Sequence, residues 1–205
     1  MQTAAPTVLL KARRQHTTWF ILLACAMLLF TGSTWPEQSL VHEGLEIIGA
    51  LAVAVCVLGR VWSTAYIGGR KDREILAIGP YSIVRNPLYV FSFIGTVGVG
   101  LESGSLTVPA FLMVAFAVYY RRVVEREELF LLGRHGSLYA EYALRVPRWI
   151  PDFRLWNSPS EIILKPANLL CGIRDTSMFF LALPLLELLD RLQMAGILPV
   201  LLRVP

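Results

Sequence analysis

The chain alternates long apolar runs with short charged ones, and the runs have the length of membrane-crossing helices. About 20 mostly apolar residues are needed to cross a hydrocarbon layer roughly 30 Å thick. Residues 15–36 carry no formal charge with His16 neutral, and Trp19 to Phe30 are apolar throughout. The basic residues Lys11, Arg13 and Arg14 before this run also suit a signal peptide, but its length and the lack of a small-x-small cleavage pattern favour a retained helix. Residues 45–67 form a second run, with Glu46 near one end and Arg60 within it. Arg60 is expected to snorkel or to face protein, because a charge facing lipid at mid-depth is costly. Residues 86–101 and 103–120, parted only by Glu102, predict a helical hairpin that turns near Gly104. In it, Gly95, Gly98 and Gly100 would let the two backbones approach closely. The last run, Thr176 to Leu202, is broken by Glu187, Asp190, Arg191 and two prolines. It suits a kinked span, a re-entrant piece or an interfacial helix. The predicted fold is all-α, an integral membrane bundle of four to five helices. Its core covers residues 1–154, with a cytoplasmic helix and loop at 121–154, and residues 155–205 form a C-terminal extension.

Composition agrees with this pattern. Of 205 residues, 55% are apolar and 17% charged, and the mean hydropathy is +0.56. Such a chain lacks the polar shell of a water-soluble enzyme and the charge of a disordered regulator. The net charge of +4 does not indicate nucleic acid, since the basic residues are interleaved with apolar runs and form no continuous face. Cys25, Cys56 and Cys171 have neither paired nor metal-ligand spacing, and His16, His42 and His135 are scattered, so no metal site is expected. The positions of Lys and Arg decide orientation. Three fall in residues 1–16, five in 60–87 and nine in 121–175, 17 of the 19, against none in 32–46 and 101–105. By the positive-inside rule the rich side, with the N-terminus, is cytoplasmic.

Two segments on that side are more particular than topology requires. The first holds Arg73, Glu74, Ile75 and Leu76, then Gly79-Pro80-Tyr81, then Arg85-Asn86-Pro87-Leu88-Tyr89. Gly79-Pro80 marks a turn, and Pro87 disfavours helical geometry at Asn86 while suiting the first turn of the third span. Arg85 and Asn86 therefore stand at a helix entrance, where free amides and the dipole favour an anion. The second segment holds Glu127-Glu128, Gly136 to Tyr142, and Arg145-Val146-Pro147. Consecutive residues on a helix lie about 100° apart, so Glu127 and Glu128 cannot share a direction; one can face a cavity while the other faces water. Arg121 and Glu125 predict a solvated i,i+4 pair of small value. On spacing alone, the first segment is equally a plain turn and helix start, and the second a charged juxtamembrane helix.

Taken together, Gly-Pro-Tyr, Arg85, Asn-Pro-x-Tyr, Glu-Glu, Gly-x-x-Tyr-x-x-Tyr and Arg-Val-Pro resemble the signatures of the isoprenylcysteine carboxyl methyltransferases and the related membrane phospholipid methyltransferases. The resemblance covers about residues 60–152. It departs from the carboxyl methyltransferases at Asn86, where those enzymes usually carry His, and at Val123, where an Arg is expected and Arg122 stands one residue earlier.

The resemblance implies an S-adenosylmethionine-dependent methyltransferase with a cytoplasmic, C-terminal cofactor-binding region. A lipidic or amphiphilic acceptor would come from the membrane, with membrane lipids as partners. It implies cofactor-binding positions at Tyr66, Arg73, Glu74, Ile75, Leu76, Tyr81, Asn86, Pro87, Leu88, Tyr89 and Glu127. Arg85 and Arg145 would orient the acceptor, and Glu128 would serve as base if the acceptor is an amine. Prenylcysteine, a phospholipid amine and a thiol all remain open as acceptors. A nicotinamide-dependent reductase of the sterol-reductase type and a non-catalytic membrane protein are the rival readings.

Overall fold

A computed structural model describes residues 27–36, 38–67 and 74–205. Most of the first expected span, and Arg73, lie outside the described residues. Of that span, residues 27–30 are helical and lead into a short strand β1 (Thr31–Ser33). Then come α1 (Leu40–Ile67), the one-turn α2 (Pro80–Ile83), α3 (Pro87–Leu101), α4 (Thr107–His135), α5 (Ser137–Arg145), a 3-10 turn at Phe153–Leu155, α6 (Pro166–Met194) and β2 (Leu202–Val204). Helices α1, α4 and α6 are long and apolar enough to cross a membrane, and α3 is a shorter apolar helix. The architecture is a helical membrane bundle.

The buried faces of α1 and α3 are built largely from small and polar side chains, while Leu112 and Phe116 of α4 and Leu186 of α6 are buried beside them. On α1 the buried residues are His42, Gly49, Val53, Cys56, Gly59 and Ser63, a stripe at helical spacing. Leu51 and Leu58 project outward, 62% and 71% exposed. Lipid is as apolar as leucine, so helices gain little by burying leucine and associate through small residues that let backbones meet. Hydroxyls within the helices return their protons to their own backbone: Ser63 to the Gly59 carbonyl at 2.7 Å, Thr64 to Arg60 at 2.8 Å and Thr96 to Ser92 at 2.8 Å.

The structure revises or extends the expectations at four places. Gly95 and Gly98 do not face the hairpin partner. Gly98 lies against the Gly49 carbonyl and the Val53 nitrogen of α1, and Gly95 against Cys56 of α1 and Phe179 of α6; only Gly100 opens onto α4, at Pro109. The helix that carries the fourth expected span runs on beyond residue 120, into the stretch where a cytoplasmic helix was expected. α4 continues unbroken to His135, because Arg121 to Glu128 contains no glycine or proline and six of its eight residues are Arg or Glu, which favour helix. The C-terminal run is helical from Pro166, ten residues before its apolar part begins, and holds Pro184 within the helix. β1 and β2, which the apolar pattern did not predict, pair in parallel with Thr31 opposite Leu202.

The hairpin and Arg60 follow the expectation. Gly104 turns between α3 and α4 with φ of 61°. Arg60 faces protein: Nη1 donates to the Leu88 carbonyl at 3.3 Å and to Ser92 Oγ of α3, and Nε donates to Thr176 Oγ1 of α6 at 3.3 Å.

Candidate functional site

Between α1 and α3 the chain runs without helix from Glu74 to Gly79 and then makes α2. Gly79 has φ of 57°, and the Tyr66 ring fills the space its Cβ would need. A strap formed by residues 147–158 lies along this segment and fixes it. Arg85 N donates to the Pro147 carbonyl at 2.8 Å, Asp152 N to Ile83 at 2.9 Å, and Gly79 N to Asn157 at 2.7 Å. Asn157 N in turn donates to Ser82 Oγ at 3.0 Å. Asn86 stands at the N-cap position of α3, its side chain turned away from the helix amides, and Pro87 occupies the first turn, as the Asn-Pro pair predicted.

These elements close over a cavity of about 220 Å³ at one end of the bundle. From the first segment Glu74, Ile75, Leu76, Tyr81, Arg85, Asn86, Pro87, Leu88 and Tyr89 line it; from the second, Glu127 and Glu128. Eleven residues singled out from the sequence thus share one space. Tyr66 stands outside it, beneath Gly79, where its hydroxyl shares a 2.9 Å hydrogen bond with Ser158. Arg145 is exposed on α5 and borders a separate depression with Glu74, His135 and Glu141.

Sequence reasoning did not assign Arg60, Ile67, Phe130, Leu131, Tyr139 and Tyr142, which also line the cavity. The two tyrosines belong to the Gly-x-x-Tyr-x-x-Tyr stretch, and an arginine inside an apolar run is itself a sign of function. Both signals were present.

The carboxylate of Glu128 organises the wall. It is 8% exposed and accepts from Arg85 Nη1 at 3.3 Å, Asn86 Nδ2 at 3.4 Å, Arg148 Nε at 3.2 Å and Arg148 Nη2 at 2.6 Å. Two donors meet each oxygen, which fills its capacity. The arginine reaching this carboxylate from the Arg-Val-Pro region is Arg148, not Arg145. Tyr142 donates to the Tyr81 carbonyl at 2.8 Å. Burial, more than any neighbour, pushes the hydroxyls of Tyr81, Tyr139 and Tyr142 up, so all three stay protonated donors at neutral pH. Among the described residues, Tyr81 Oη and Arg85 Nε are buried with no hydrogen-bond partner.

Arg85 also borders a second, mainly apolar cavity of about 770 Å³ between α3 and α4. Its sides are Val90 and Phe93 of α3 and Phe116, Ala117 and Tyr120 of α4; Arg148, Trp149 and Ile150 of the strap close its polar end. Among the described residues, no group of His, Cys, Asp and Glu is arranged to hold a metal ion.

Residues 45–137 match the family model for phospholipid methyltransferases. The chain is 33% identical to the nickel-cobalt-cadmium resistance protein NccN of Alcaligenes xylosoxydans xylosoxydans, over 86% of this chain and 84% of that protein. It is 36% identical to the cobalt-zinc-cadmium resistance protein CzcN of Cupriavidus metallidurans, over 91% and 86%. An 81-residue stretch is 28% identical to the protein-S-isoprenylcysteine O-methyltransferase of Schizosaccharomyces pombe, 40% of this chain and 34% of that one. No solved structure gives a significant match.

Proposed function

We propose, from the premise that the chain belongs to the phospholipid methyltransferase family matched by residues 45–137, that it transfers a methyl group from S-adenosylmethionine to an amphiphilic acceptor held in the membrane. The observation that carries this reading is the convergence of two distant sequence segments, Glu74 to Tyr89 and Glu127-Glu128, on one cavity.

The donor set suits the cofactor. The carboxylates of Glu74 and Glu127 match its cationic groups. The tyrosine faces match a nucleoside and a sulfonium, and the orphaned Tyr81 hydroxyl and Arg85 Nε match its acceptor atoms. When bound, S-adenosylmethionine supplies an electrophilic methyl group on sulfur. The protein's part is to align two reactants and keep water out, and alignment alone is worth roughly 7–11 kcal/mol in effective molarity. The apolar cavity between α3 and α4 accepts the acceptor's hydrocarbon body, while Arg85 and Arg148 meet an anionic or polar head where the two cavities adjoin. Glu128 is already saturated by Arg85, Arg148 and Asn86, so we assign it as a positioning residue that holds those groups in register. A carboxylate or thiolate acceptor needs no base; an amine acceptor would have to draw Glu128 out of this network. We place the cavity end in the cytoplasm, on the side that gathers 17 of 19 Lys and Arg.

The test is incubation of purified protein with methyl-labelled S-adenosylmethionine and a lipid extract, followed by identification of the labelled product. A labelled amphiphile that disappears with Glu127→Gln is expected; no labelled product, together with no cofactor binding by calorimetry, overturns the assignment. The resistance named for NccN and CzcN extends the proposal to metal tolerance. In a strain that lacks the protein and has become metal-sensitive, the Glu127→Gln variant would insert in the membrane yet fail to restore tolerance. Full restoration would separate tolerance from catalysis.

A further inference from the structure

Arg60 is the only Lys or Arg in α1. It lies seven residues before the end of the helix at Ile67, about 10 Å below that end, in a run otherwise free of charge from Ile47 onward. Its three hydrogen bonds go to neutral acceptors, the Leu88 carbonyl, Ser92 Oγ and Thr176 Oγ1. Its guanidinium carbon stands 5.9 Å from the centre of the Phe179 ring. Among the described residues, no carboxylate forms an ion pair with it. Its charge is therefore solvated by dipoles and a ring face but not neutralised, a costly state for a group set within a membrane bundle.

The side chain does not end in a sealed core. Arg60 lines the same cavity as Glu74, Tyr81, Leu88 and Glu127 and does not border the apolar cavity between α3 and α4. The cavity's other guanidinium, Arg85, is ion-paired with Glu128. One cavity thus presents a cation without a carboxylate partner at its α1 wall and carboxylates on its α4 and connecting-segment walls. That division of charge fits an α-amino acid zwitterion, whose carboxylate and ammonium lie on one carbon.

We propose that Arg60 binds the α-carboxylate of the cofactor's amino-acid portion and so fixes the depth at which the cofactor sits. The inference rests on the methyltransferase reading and adds to it a ligand group and the residue that receives it. It also gives α6 a purpose: Thr176, 1% exposed, holds Arg60 Nε and aims the guanidinium.

The test compares two probes by calorimetry on the purified, detergent-solubilised protein: S-adenosylmethionine and its decarboxylated analogue, which keeps the sulfonium, the nucleoside and the amine. A charge-assisted hydrogen bond predicts that the wild type prefers the carboxylate-bearing probe by about ten- to a hundredfold. In Arg60→Met the preference falls to near one, and Arg60→Lys restores part of it. Paired substitutions Ser92→Ala and Thr176→Val loosen the aim of the guanidinium but leave its charge, so the preference is reduced in them yet stays above that of Arg60→Met, even where melting temperature falls. Equal wild-type affinity for both probes overturns the inference without any variant. A folded Arg60→Met protein that keeps the wild-type preference overturns it too, and is the result expected if Arg60 instead receives an anion of the acceptor. Failure of the wild type to bind either probe is a different result, which removes the methyltransferase reading itself.

Discussion

Replacing Glu128 with glutamine tests the centre of the site with the least change of shape. The carboxylate and Arg85 are 10% and 14% exposed as side chains, so their 3.3 Å pair is shielded from water. Arg148, at 37%, is more open. Glutamine keeps one acceptor oxygen and turns an NH2 group toward guanidinium donors, which leaves Arg85 as a buried cation whose Nε already lacks a partner. A charge-assisted hydrogen bond of the Arg85 kind contributes about 1.5–3 kcal/mol, and the half-open Arg148 pair no more than about 1 kcal/mol. The expected loss is on the order of 3 kcal/mol, or roughly 6–12 °C in melting temperature for a chain of this size. The assay is thermal unfolding of the detergent-solubilised protein, followed by tryptophan fluorescence, for Glu128→Gln, Arg148→Met and the double variant. If the network is real, Arg148→Met costs about 1 kcal/mol in the wild type and little in the Glu128→Gln background, where its removal relieves repulsion. Unchanged melting in Glu128→Gln, or an equal cost of Arg148→Met in both backgrounds, would refute the reasoning.

Two further predictions concern the bundle itself. The carboxyl of Glu102, in the turn between α3 and α4, is pushed up to about 7 by burial and then by the nearby charges of Glu46, Asp190 and Glu187. Between its ordinary value of 4.5 and about 7 the folded protein binds more protons than the unfolded chain, so stability falls as pH rises through that window and levels off above it. Glu102→Gln should therefore melt higher than the wild type at pH 8 and equally near pH 4. For a half-exposed group the gain is on the order of 1 kcal/mol, and no gain at pH 8 would contradict the assignment. Gly98→Ala should lower the melting temperature by the equivalent of about 1–3 kcal/mol, because the new methyl meets the α1 backbone at Gly49 and Val53. Gly133→Ala on the exposed face of α4, where nothing lies within 4 Å, should be neutral or stabilising; equal effects of the two would sink the close-packing argument.

Helices were legible in the sequence because in a membrane the length of an apolar run is itself a physical requirement. The span expected over 45–67 lies within α1, and the run 86–101 coincides with α3 to within a residue. The end of α4 was not legible, since hydropathy reports where lipid stops and not where a helix does; Arg121 to His135 continue the helix with charged side chains. The partner of Gly95 and Gly98 was equally hidden. A small residue announces that something approaches closely, but the choice between α1 and α4 depends on the rotation of α3. In the site, most residues of the first motif were found, whereas Tyr139 and Tyr142 of the second went unassigned and residues outside any motif were missed. Arg145 drew attention through Arg-Val-Pro, yet the residue that reaches Glu128 is three positions on, where the strap has turned back toward α4. Whether a loop arginine points inward is decided by backbone bonds such as Arg85 N to the Pro147 carbonyl, which no local pattern encodes.

The site lies at an end of the bundle for a reason that follows from its interior. Packing by small residues brings α1 and α3 too close at Gly49 and Gly98 to leave room for a ligand. Toward the opposite end α1 carries Arg60 in place of a small residue, and the connecting segment rather than a helix covers the opening. There the polar groups of a cofactor can be met without placing unpaired charge against lipid. The apolar cavity between α3 and α4 adjoins that place at Arg85, a residue common to both linings. An acceptor drawn from the bilayer would then keep its hydrocarbon among Phe93, Phe116 and Tyr120 and present only its head to the polar chamber. This division fixes where specificity should reside. Changes among those aromatics should alter which acceptor is methylated while leaving cofactor affinity alone, whereas changes at Tyr81 or Glu127 should do the reverse.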